Sequence, residues 1–168
     1  SKEYIKTFGG PHSSSKETLP SQFDDANKYD TSSSRESNLH FDLNDGVSLE
    51  MWIKKPAFTT SLTEKEVLFD LWNGEASDST KYGRLRLELT GASSGSPFLL
   101  TALSGASGIQ HQSVGANITT STITDWTHVA VTLKNSGSDI NVNTYINGQF
   151  NQSASFAGKA LEQVTGSL

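Results

Sequence analysis

Strict alternation of apolar and polar residues, interrupted by a two-residue turn, limits the possible folds of this chain more than any other feature. Every second residue of segments 129–133 and 140–146 is aliphatic or a threonine, and Asn147-Gly148 follows the second segment directly. Both residues of such a turn adopt positive φ, which Asn and Gly tolerate better than other residues. A period of two places one face of a strand inward and the other outward. The segment therefore predicts a β-hairpin in which residues 149–156 form the return strand.

The same period extends through most of the chain after residue 38. Segments 39–43, 47–53 and 84–89 alternate, and segments 67–72 and 98–103 are short, mainly apolar runs. The charged residues among 84–89 are predicted to point outward. We count about nine strands and no segment with the helical period of 3.6 residues. Many short strands between Gly-rich turns predict an all-β domain, either a sandwich or a barrel.

The first 38 residues lack this pattern. Serine triplets at 13–15 and 32–34 are typical of a loop or linker, and few apolar residues are available as anchors. We therefore divide the chain into a polar N-terminal arm or first strands, residues 1–38, and a β-domain, residues 39–168.

Composition disfavours several classes of function. The 25 serines and 17 threonines make the surface polar without making it charged. A net charge of −5 argues against a nucleic-acid binder, which would carry a basic patch. The sequence contains no run of 18 apolar residues, so no membrane-spanning helix is predicted. The chain has no cysteine and hence no disulfide, which favours a bacterial, viral or intracellular origin.

Three segments carry a resemblance to a known family. Residues 47–54 read VSLEMWIK, residues 125–132 read DWTHVAVT, and residues 140–148 read INVNTYING. In this order and spacing they resemble the laminin-G-like branch of the concanavalin A-like lectin and glucanase superfamily. The resemblance extends over about residues 23–156. It implies that the β-domain is a two-sheet antiparallel sandwich, a jelly roll.

Two departures from the family pattern concern the edges of the sheets. The closing strands of the family are not recognisable after residue 156, and its N-terminal strand is degraded at residues 23–29. An unfinished sheet exposes unpaired backbone groups, which invite pairing with another chain. We therefore expect either that a neighbouring chain completes the sandwich or that the sequence is a piece of a longer polypeptide.

The carboxylates do not form the pair that glycoside hydrolysis requires. In hydrolases that share this fold, one strand carries the pattern E-x-D-x-x-E, which places nucleophile and acid on one face of the strand. Here the positions two and four after Glu50 hold Trp and Lys, and Glu88 stands alone. The histidines, at positions 12, 40, 111 and 128, have no metal-ligand spacing, and His128 is predicted to be structural. We predict that the chain is not an enzyme.

Calcium is the cofactor that the resemblance implies, because the family often holds this ion at the rim of the sandwich. Hard cations prefer carboxylate and amide oxygens. The candidate calcium ligands are Asp24, Asp25, Asn27 and Asp30. A second oxygen-rich cluster consists of Asp70, Asn73, Glu75 and Asp78. Neither cluster follows an EF-hand spacing, and ordinary solvated loop acids are the alternative interpretation.

A sugar site needs an aromatic ring beside a few polar groups, because a pyranose has an apolar face and a rim of hydroxyls. Trp72, Asn73 and Gly74 lie at the predicted end of a strand and supply a ring and an amide together. They are the predicted ligand-binding residues. Trp52 and Trp126 are predicted instead to pack or to lie on the surface of their strands.

These observations predict a non-enzymatic structural or adhesive domain on a virion surface, as a capsid decoration or tail component that binds glycans or cell surfaces weakly. The lack of cysteine, the polar arm and the open sheet edge favour an assembly with neighbouring protein chains. The alternative is a lectin-like carbohydrate-binding module of a bacterial secreted or surface protein. Both hypotheses place the chain on a virion surface or outside the cell, and fold alone does not choose between them.

Overall fold

The computed structural model describes residues 42–55, 65–72, 75–80, 82–91 and 95–161. These ranges contain eight strands and a short 3₁₀ helix, Thr120–Ile123. The strands are β1 (Val47–Ile53), β2 (Lys65–Trp72), β3 (Gly83–Thr90), β4 (Phe98–Ser104), β5 (Ser107–Val114), β6 (Thr127–Ser136), β7 (Asp139–Ile146) and β8 (Gln149–Phe156). Within the same ranges, no helix is long and apolar enough to cross a membrane. The predicted N-terminal arm, residues 1–38, lies outside the described residues.

The strands form two antiparallel sheets of four strands each. Sheet A has the order β1-β6-β7-β8, and sheet B has the order β2-β3-β4-β5. Sheet B is a meander in which every strand pairs with its neighbour in the sequence. In sheet A, β1 and β6 are neighbours although all of sheet B lies between them in the chain. The predicted all-β fold, a two-sheet antiparallel sandwich, is confirmed.

The two sheets share one apolar core. Alternate residues of the central strands lie in it, such as Leu85 and Leu87 from β3 and Val129 and Val131 from β6. Each of these four side chains is almost completely buried. Full burial of an aliphatic side chain is worth about 1.5–3 kcal/mol, so this core is the main favourable contribution to folding. The apolar residues that recur at every second position of the sequence are thus the ones that contact the core.

The hairpin between β7 and β8 has the turn that the sequence predicts. Asn147 and Gly148 have φ values of 51° and 77°, both in the left-handed region. The strands continue on either side with Ile146 opposite Gln149. The turn sets the register at the tip of the hairpin, and the pairing then shifts by one residue between Thr144 and Tyr145, where Asn151 is an extra residue in β8.

Strand β5 is not revealed by alternation. Its pairing with β4 shifts between Leu100 and Ala102, and two of its own residues, Gly108 and His111, have φ values of 112° and 48°. A bulge inserts an extra residue into one strand and so interrupts the period of two. The predicted strand at 39–43 also differs, since Leu43 lies in a turn and residues 39–41 are outside the described ranges.

The outward face of β3 corrects a further prediction. Arg84 and Arg86 are partly exposed, but Glu88 is only 3% exposed instead of solvated. The outward side of sheet B thus carries a buried carboxylate. Alternation could not predict this burial, because it determines only the face of the sheet on which a side chain lies and not what covers that face.

Candidate functional site

Trp72 lies on the outward face of sheet B, at the end of β2, opposite Arg84 on β3. Its side chain is 48% exposed. The indole Nε1–H donates a hydrogen bond to the backbone oxygen of Glu75 at 2.9 Å, and the Arg84 guanidinium carbon lies 5.9 Å from the ring centroid. These two contacts hold the ring in place while leaving part of it open to solvent. The other two predicted ligand-binding residues, Asn73 and Gly74, lie outside the described ranges.

Arg84 connects the tryptophan to a carboxylate and a phenol. It forms a two-point ion pair with Asp70, in which Nε lies 2.8 Å from Oδ1 and Nη2 contacts Oδ2. Its Nη1 lies 3.3 Å from the hydroxyl oxygen of the buried Tyr82. The hydrogen bond with Asp70 raises the pKa of Arg84 above its already high ordinary value. The Arg84 guanidinium therefore stays charged, and the two-point contact with Asp70 holds it in a fixed orientation beside the ring.

A second polar cluster lies along the same outward face. The Oε2 atom of the buried Glu88 is 3.1 Å from Arg86 Nη2 and 3.3 Å from His111 Nε2. Arg86 Nη2 and His111 Nε2 are 2.9 Å apart. Glu88 Oε2 and Arg86 Nε have no partner with hydrogen-bond geometry among the described residues. The carboxylate is thus compensated by charge and not fully by hydrogen bonds.

His111 occupies an unusual backbone position in this cluster. Its φ of 48° lies in the left-handed region, which few residues other than Gly adopt and which His tolerates better than most, and its backbone N–H donates to Thr101 Oγ1 at 3.1 Å. Burial lowers the pKa of His111 below its ordinary value of 6.5, and Lys65 contributes in the same direction. Glu88 opposes this shift only in part. The neutral imidazole is therefore the form that the folded protein favours, with Nε2 free to accept from Arg86.

The outward face of sheet A presents a different tryptophan. Trp52 on β1 lies opposite His128 on β6, and their ring centroids are 5.2 Å apart. His128 Nε2 lies 2.7 Å from Glu50 Oε1, and the His128 backbone N–H donates to Asn147 Oδ1 at 3.0 Å. The Trp52 ring is 63% exposed. Trp52 thus stands on the surface of its strand, with a histidine as its neighbour.

The isolated carboxylates of the sequence are on opposite sides of the molecule. Glu50 lies on the outward face of sheet A, and Glu88 lies on the outward face of sheet B. Each has a cationic or imidazole neighbour of its own. The two therefore do not flank one glycosidic bond, which retaining and inverting hydrolases both require of their carboxyl pair.

The predicted metal ligands are not assembled by the described residues. The first set, Asp24, Asp25, Asn27 and Asp30, lies outside these ranges. In the second cluster Asp70 is engaged by Arg84, and Glu75 Oε2 accepts a hydrogen bond from Ser79 at 3.0 Å. Where the chain is described, no group of three or more His, Asp or Glu side chains is placed to hold an ion. Calcium stays a prediction of the family resemblance.

Comparison with known proteins identifies the family. The family model described as the concanavalin A-like lectin/glucanases superfamily matches residues 21–168. The chain belongs to this superfamily. The match includes residues 157–168, in which the sequence pattern alone showed no family strand. No curated protein and no solved structure matches the chain.

The sequence predicts Trp72 as a ligand-binding residue and groups Asp70 and Glu75 as candidate metal ligands, but it does not predict that Arg84 contacts the Trp72 ring and Asp70. Arg84 follows 12 residues later and meets the ring only through the register of β2 against β3. Asp70 and Arg84 approach each other diagonally across the same two strands. The alternation of segment 84–89 contained the one available signal, since it placed Arg84 on an outward face. The pairing register needed to use that signal is set by the tertiary fold.

Proposed function

We propose that this domain is a non-enzymatic binding module that recognises a carbohydrate at Trp72 and the Arg84–Asp70 pair. The supporting observation is an exposed indole held from two sides, by Glu75 and by Arg84, next to a fixed array of charged hydrogen-bonding groups. The apolar face of a pyranose stacks on such a ring, and its hydroxyls both donate and accept. Ring and ion pair therefore match the two sides of a sugar.

The orientation of the tryptophan favours binding, because little side-chain freedom is left to lose. Ordering a mobile side chain at an interface costs about 0.5–1.5 kcal/mol. The hydrogen bond from Trp72 Nε1 to the Glu75 carbonyl removes most of that cost before the ligand arrives. The geometry is thus that of a preformed platform.

The charges beside the ring favour an uncharged ligand. Arg84 and Asp70 neutralise each other, so neither attracts a counter-charge as strongly as a lone ion would. Each still has capacity for a hydroxyl group, because a carboxylate accepts up to about four hydrogen bonds and a guanidinium donates five. A neutral hexose is the ligand class that uses this capacity without adding charge.

As part of the same proposal, the domain is an adhesive component of a surface, either of a virion or of a cell. The Ser- and Thr-rich composition supports this role, since copies with little surface charge can pack side by side. Many copies on one particle raise avidity, so a weak site suffices. Neighbouring chains would be its partners in that setting.

The test compares Trp72→Ala with Trp126→Ala, which removes an indole that is 66% exposed and has no part in the proposed site. Both variants and the parent protein are applied to an array of neutral and acidic oligosaccharides, and the best ligand is then titrated by calorimetry. We expect Trp72→Ala to weaken binding about 5- to 100-fold, which corresponds to about 1–3 kcal/mol. Trp126→Ala should stay within about twofold.

Equal binding by the parent and Trp72→Ala would remove Trp72 from the site. The non-enzymatic part of the proposal has its own assay, in which the bound oligosaccharide is incubated with the protein and new reducing ends are measured. Turnover that disappears in Glu88→Gln or in Glu50→Gln would contradict it.

A further inference from the structure

The two polar clusters on the outward face of sheet B are neighbours in the strand register. Asp70, which binds Arg84, lies directly opposite Arg86 in the β2–β3 pair. Residues opposite each other in an antiparallel pair have Cβ atoms about 4.5–5.5 Å apart. Arg86 nevertheless contacts Glu88 and His111, while Asp70 pairs diagonally with Arg84. The carboxylate of the first cluster therefore lies within reach of the cation of the second.

The contacts of Arg86 depend on the protonation state of His111. Arg86 Nη2 lies 2.9 Å from His111 Nε2, and only the neutral imidazole accepts a hydrogen bond at this nitrogen. A protonated imidazole presents an N–H there, so two cationic donors would face each other. That N–H would also lie close to Glu88 Oε2, which is 3.3 Å from His111 Nε2 and has no partner with hydrogen-bond geometry among the described residues. Protonation therefore attracts Glu88 to His111 and repels Arg86.

Asp70 is the carboxylate that a displaced Arg86 meets across the β2–β3 pair. The Arg86 side chain is mostly buried, so solvent does not readily replace the contacts that it loses. Its Nε atom already has no hydrogen-bond partner within the part of the chain that the structure describes. A buried cation without a partner is strongly unfavourable, because nothing compensates its desolvation. Arg86 therefore moves towards Asp70, which is then shared between two guanidinium groups.

A shared Asp70 holds Arg84 less firmly. While His111 is neutral, both carboxylate oxygens of Asp70 contact Arg84, which fixes the guanidinium carbon 5.9 Å from the centroid of the Trp72 ring. When one of these oxygens turns to Arg86, a single contact is left and the Arg84 guanidinium can rotate about it. The tryptophan ring then loses one of its two supports, and the hydrogen-bonding groups beside the ring lose their fixed orientation.

The charged groups that face His111 determine the pH at which its imidazole becomes protonated. Within the described ranges they are Lys65 and Asp70 on β2 and Arg84, Arg86 and Glu88 on β3. Strands β4 and β5 contribute no ionisable side chain besides His111 itself. Burial, followed by Lys65, lowers the pKa of His111 below 6.5, and Glu88 opposes this shift. The imidazole is therefore neutral at pH 7 and becomes charged only in acid.

We propose that protonation of His111 is a switch that loosens the Arg84–Asp70 pair and thereby weakens binding at Trp72. The effect on binding rests on the proposed carbohydrate site, whereas the loosening of Arg84 needs no ligand. His111 and Arg86 are positioning residues in this scheme, because they act through Asp70 and Arg84. The domain holds its ligand at neutral pH and releases it in acid, and by reciprocity a bound ligand opposes protonation of His111.

The experiment follows Arg84 directly, by NMR of the full chain between pH 7 and pH 4.5. Exchange of the Arg84 Nε–H proton with water is measured relative to free arginine at the same pH, and the His111 ring signals report its protonation. The parent is compared with His111→Asn and His111→Gln, because Asn suits the left-handed backbone at this position. The control His128→Gln removes a histidine of the opposite sheet. Melting curves confirm that the variants are folded.

A double variant separates the proposed relay from the charge of His111 alone. Arg86→Met combined with Glu88→Leu keeps His111 and removes the two groups that contact it on β3. In the same series, binding of two neutral oligosaccharides, cellohexaose and mannohexaose, is titrated by calorimetry at both ends of the pH range.

We expect the protection of the Arg84 Nε–H proton to fall about fivefold or more as His111 becomes protonated, in the parent and in His128→Gln. Protection should change by less than about twofold in both His111 variants and in the double variant. Binding of a hexaose should weaken about fivefold or more over the same pH range in the parent, and this pH dependence should disappear in the His111 variants.

Three outcomes would overturn the switch. Protection of Arg84 that stays constant while the His111 ring becomes protonated would show that the two residues are not coupled. An equal loss of protection in the parent and in His111→Asn would assign the effect to another group. An imidazole that stays neutral down to pH 4.5 would exclude His111 as the sensor.

Two further outcomes separate the switch from the proposed function. If Arg84 loosens with His111 but neither the hexaoses nor the oligosaccharide array bind at pH 7, the site at Trp72 is refuted while the coupling stands. If a hexaose binds with the same affinity at both ends of the pH range although Arg84 loosens, the site stands and its regulation by His111 is refuted.

Discussion

The two sheets are alike on their inward faces and different on their outward ones. Inward, both present leucine, isoleucine and valine to one core. Outward, each sheet carries an exposed tryptophan beside a charged pair, but the carboxylate of the Arg86–Glu88 pair on sheet B is buried, whereas the Glu50 carboxylate beside His128 on sheet A is 68% exposed. Alternation constrains only the residues that the core uses. The outward-facing residues alternate with the core residues along each strand, and they determine the chemistry of each surface. Because they are not constrained by the core, they can differ between the two sheets.

Both sheets contain a register shift, between Thr144 and Tyr145 in the β7–β8 pair and between Leu100 and Ala102 in the β4–β5 pair. Two glycines with positive φ differ in their surroundings, since Gly148 lies in the turn at the tip of the β7–β8 hairpin and Gly108 lies within β5. A turn at the tip of a hairpin stands clear of the rest of the chain. A bulge inside a ladder must fit against the neighbouring strand, and the following predictions use this contrast.

The largest effect is expected for Gly108→Ala, with Gly148→Ala as its matched control. Both glycines have positive φ, which costs an alanine about 1–2 kcal/mol. A Cβ at Gly108 would also clash with the backbone oxygen of Ala102, whereas one at Gly148 meets no heavy atom within 4 Å where the chain is described. Urea unfolding should show a loss of about 3 kcal/mol or more for Gly108→Ala and about 1 kcal/mol for Gly148→Ala. Equal losses would mean that β5 relaxes without cost.

The next effect compares the two isolated carboxylates. Glu88→Ala removes a buried partner of Arg86 and should lower the free energy of unfolding by about 3 kcal/mol. Glu50→Ala removes a side chain that is 68% exposed and should cost less than about 1 kcal/mol. Both variants are measured by urea unfolding at pH 7.

A double variant separates charge from packing in this cluster. Arg86→Met combined with Glu88→Leu removes both charges while keeping apolar volume, and its stability should lie within about 1 kcal/mol of the parent. A double variant as unstable as Glu88→Ala alone would show that the ion pair is worth more than the apolar contacts that replace it.

The smallest effect concerns acid stability. Burial lowers the pKa of His111, so between that value and 6.5 the unfolded chain binds more protons at this residue than the folded one. This contribution is fully present above pH 6.5 and is lost as the pH falls towards the lowered pKa. His111→Gln should therefore show a smaller drop in melting temperature between pH 7 and 5.5 than the parent. The other histidines contribute equally to both proteins, and identical drops would contradict the assignment.

Strands such as β1, β6 and β7 could be predicted from sequence because one residue in two along each of them faces the core. Strand β5 could not, since a bulge displaces His111 from that rhythm. The contacts of the Trp72 side chain could not be predicted from the sequence, for another reason. Its contacts with Arg84 and with the Glu75 carbonyl depend on a strand register and on a turn, and a local pattern specifies neither.

The order of sheet A has a consequence for the time course of folding. β1 ends at Ile53 and its partner β6 begins at Thr127, so their ladder closes only after the whole of sheet B has been synthesised. Closing so long a loop is entropically unfavourable, and non-local pairing slows folding. Until β1 arrives, one edge of β6 is open to the β1 of another molecule, which forms the same ladder. We therefore expect exchange of β1 between copies, and refolding that loses yield as the protein concentration rises.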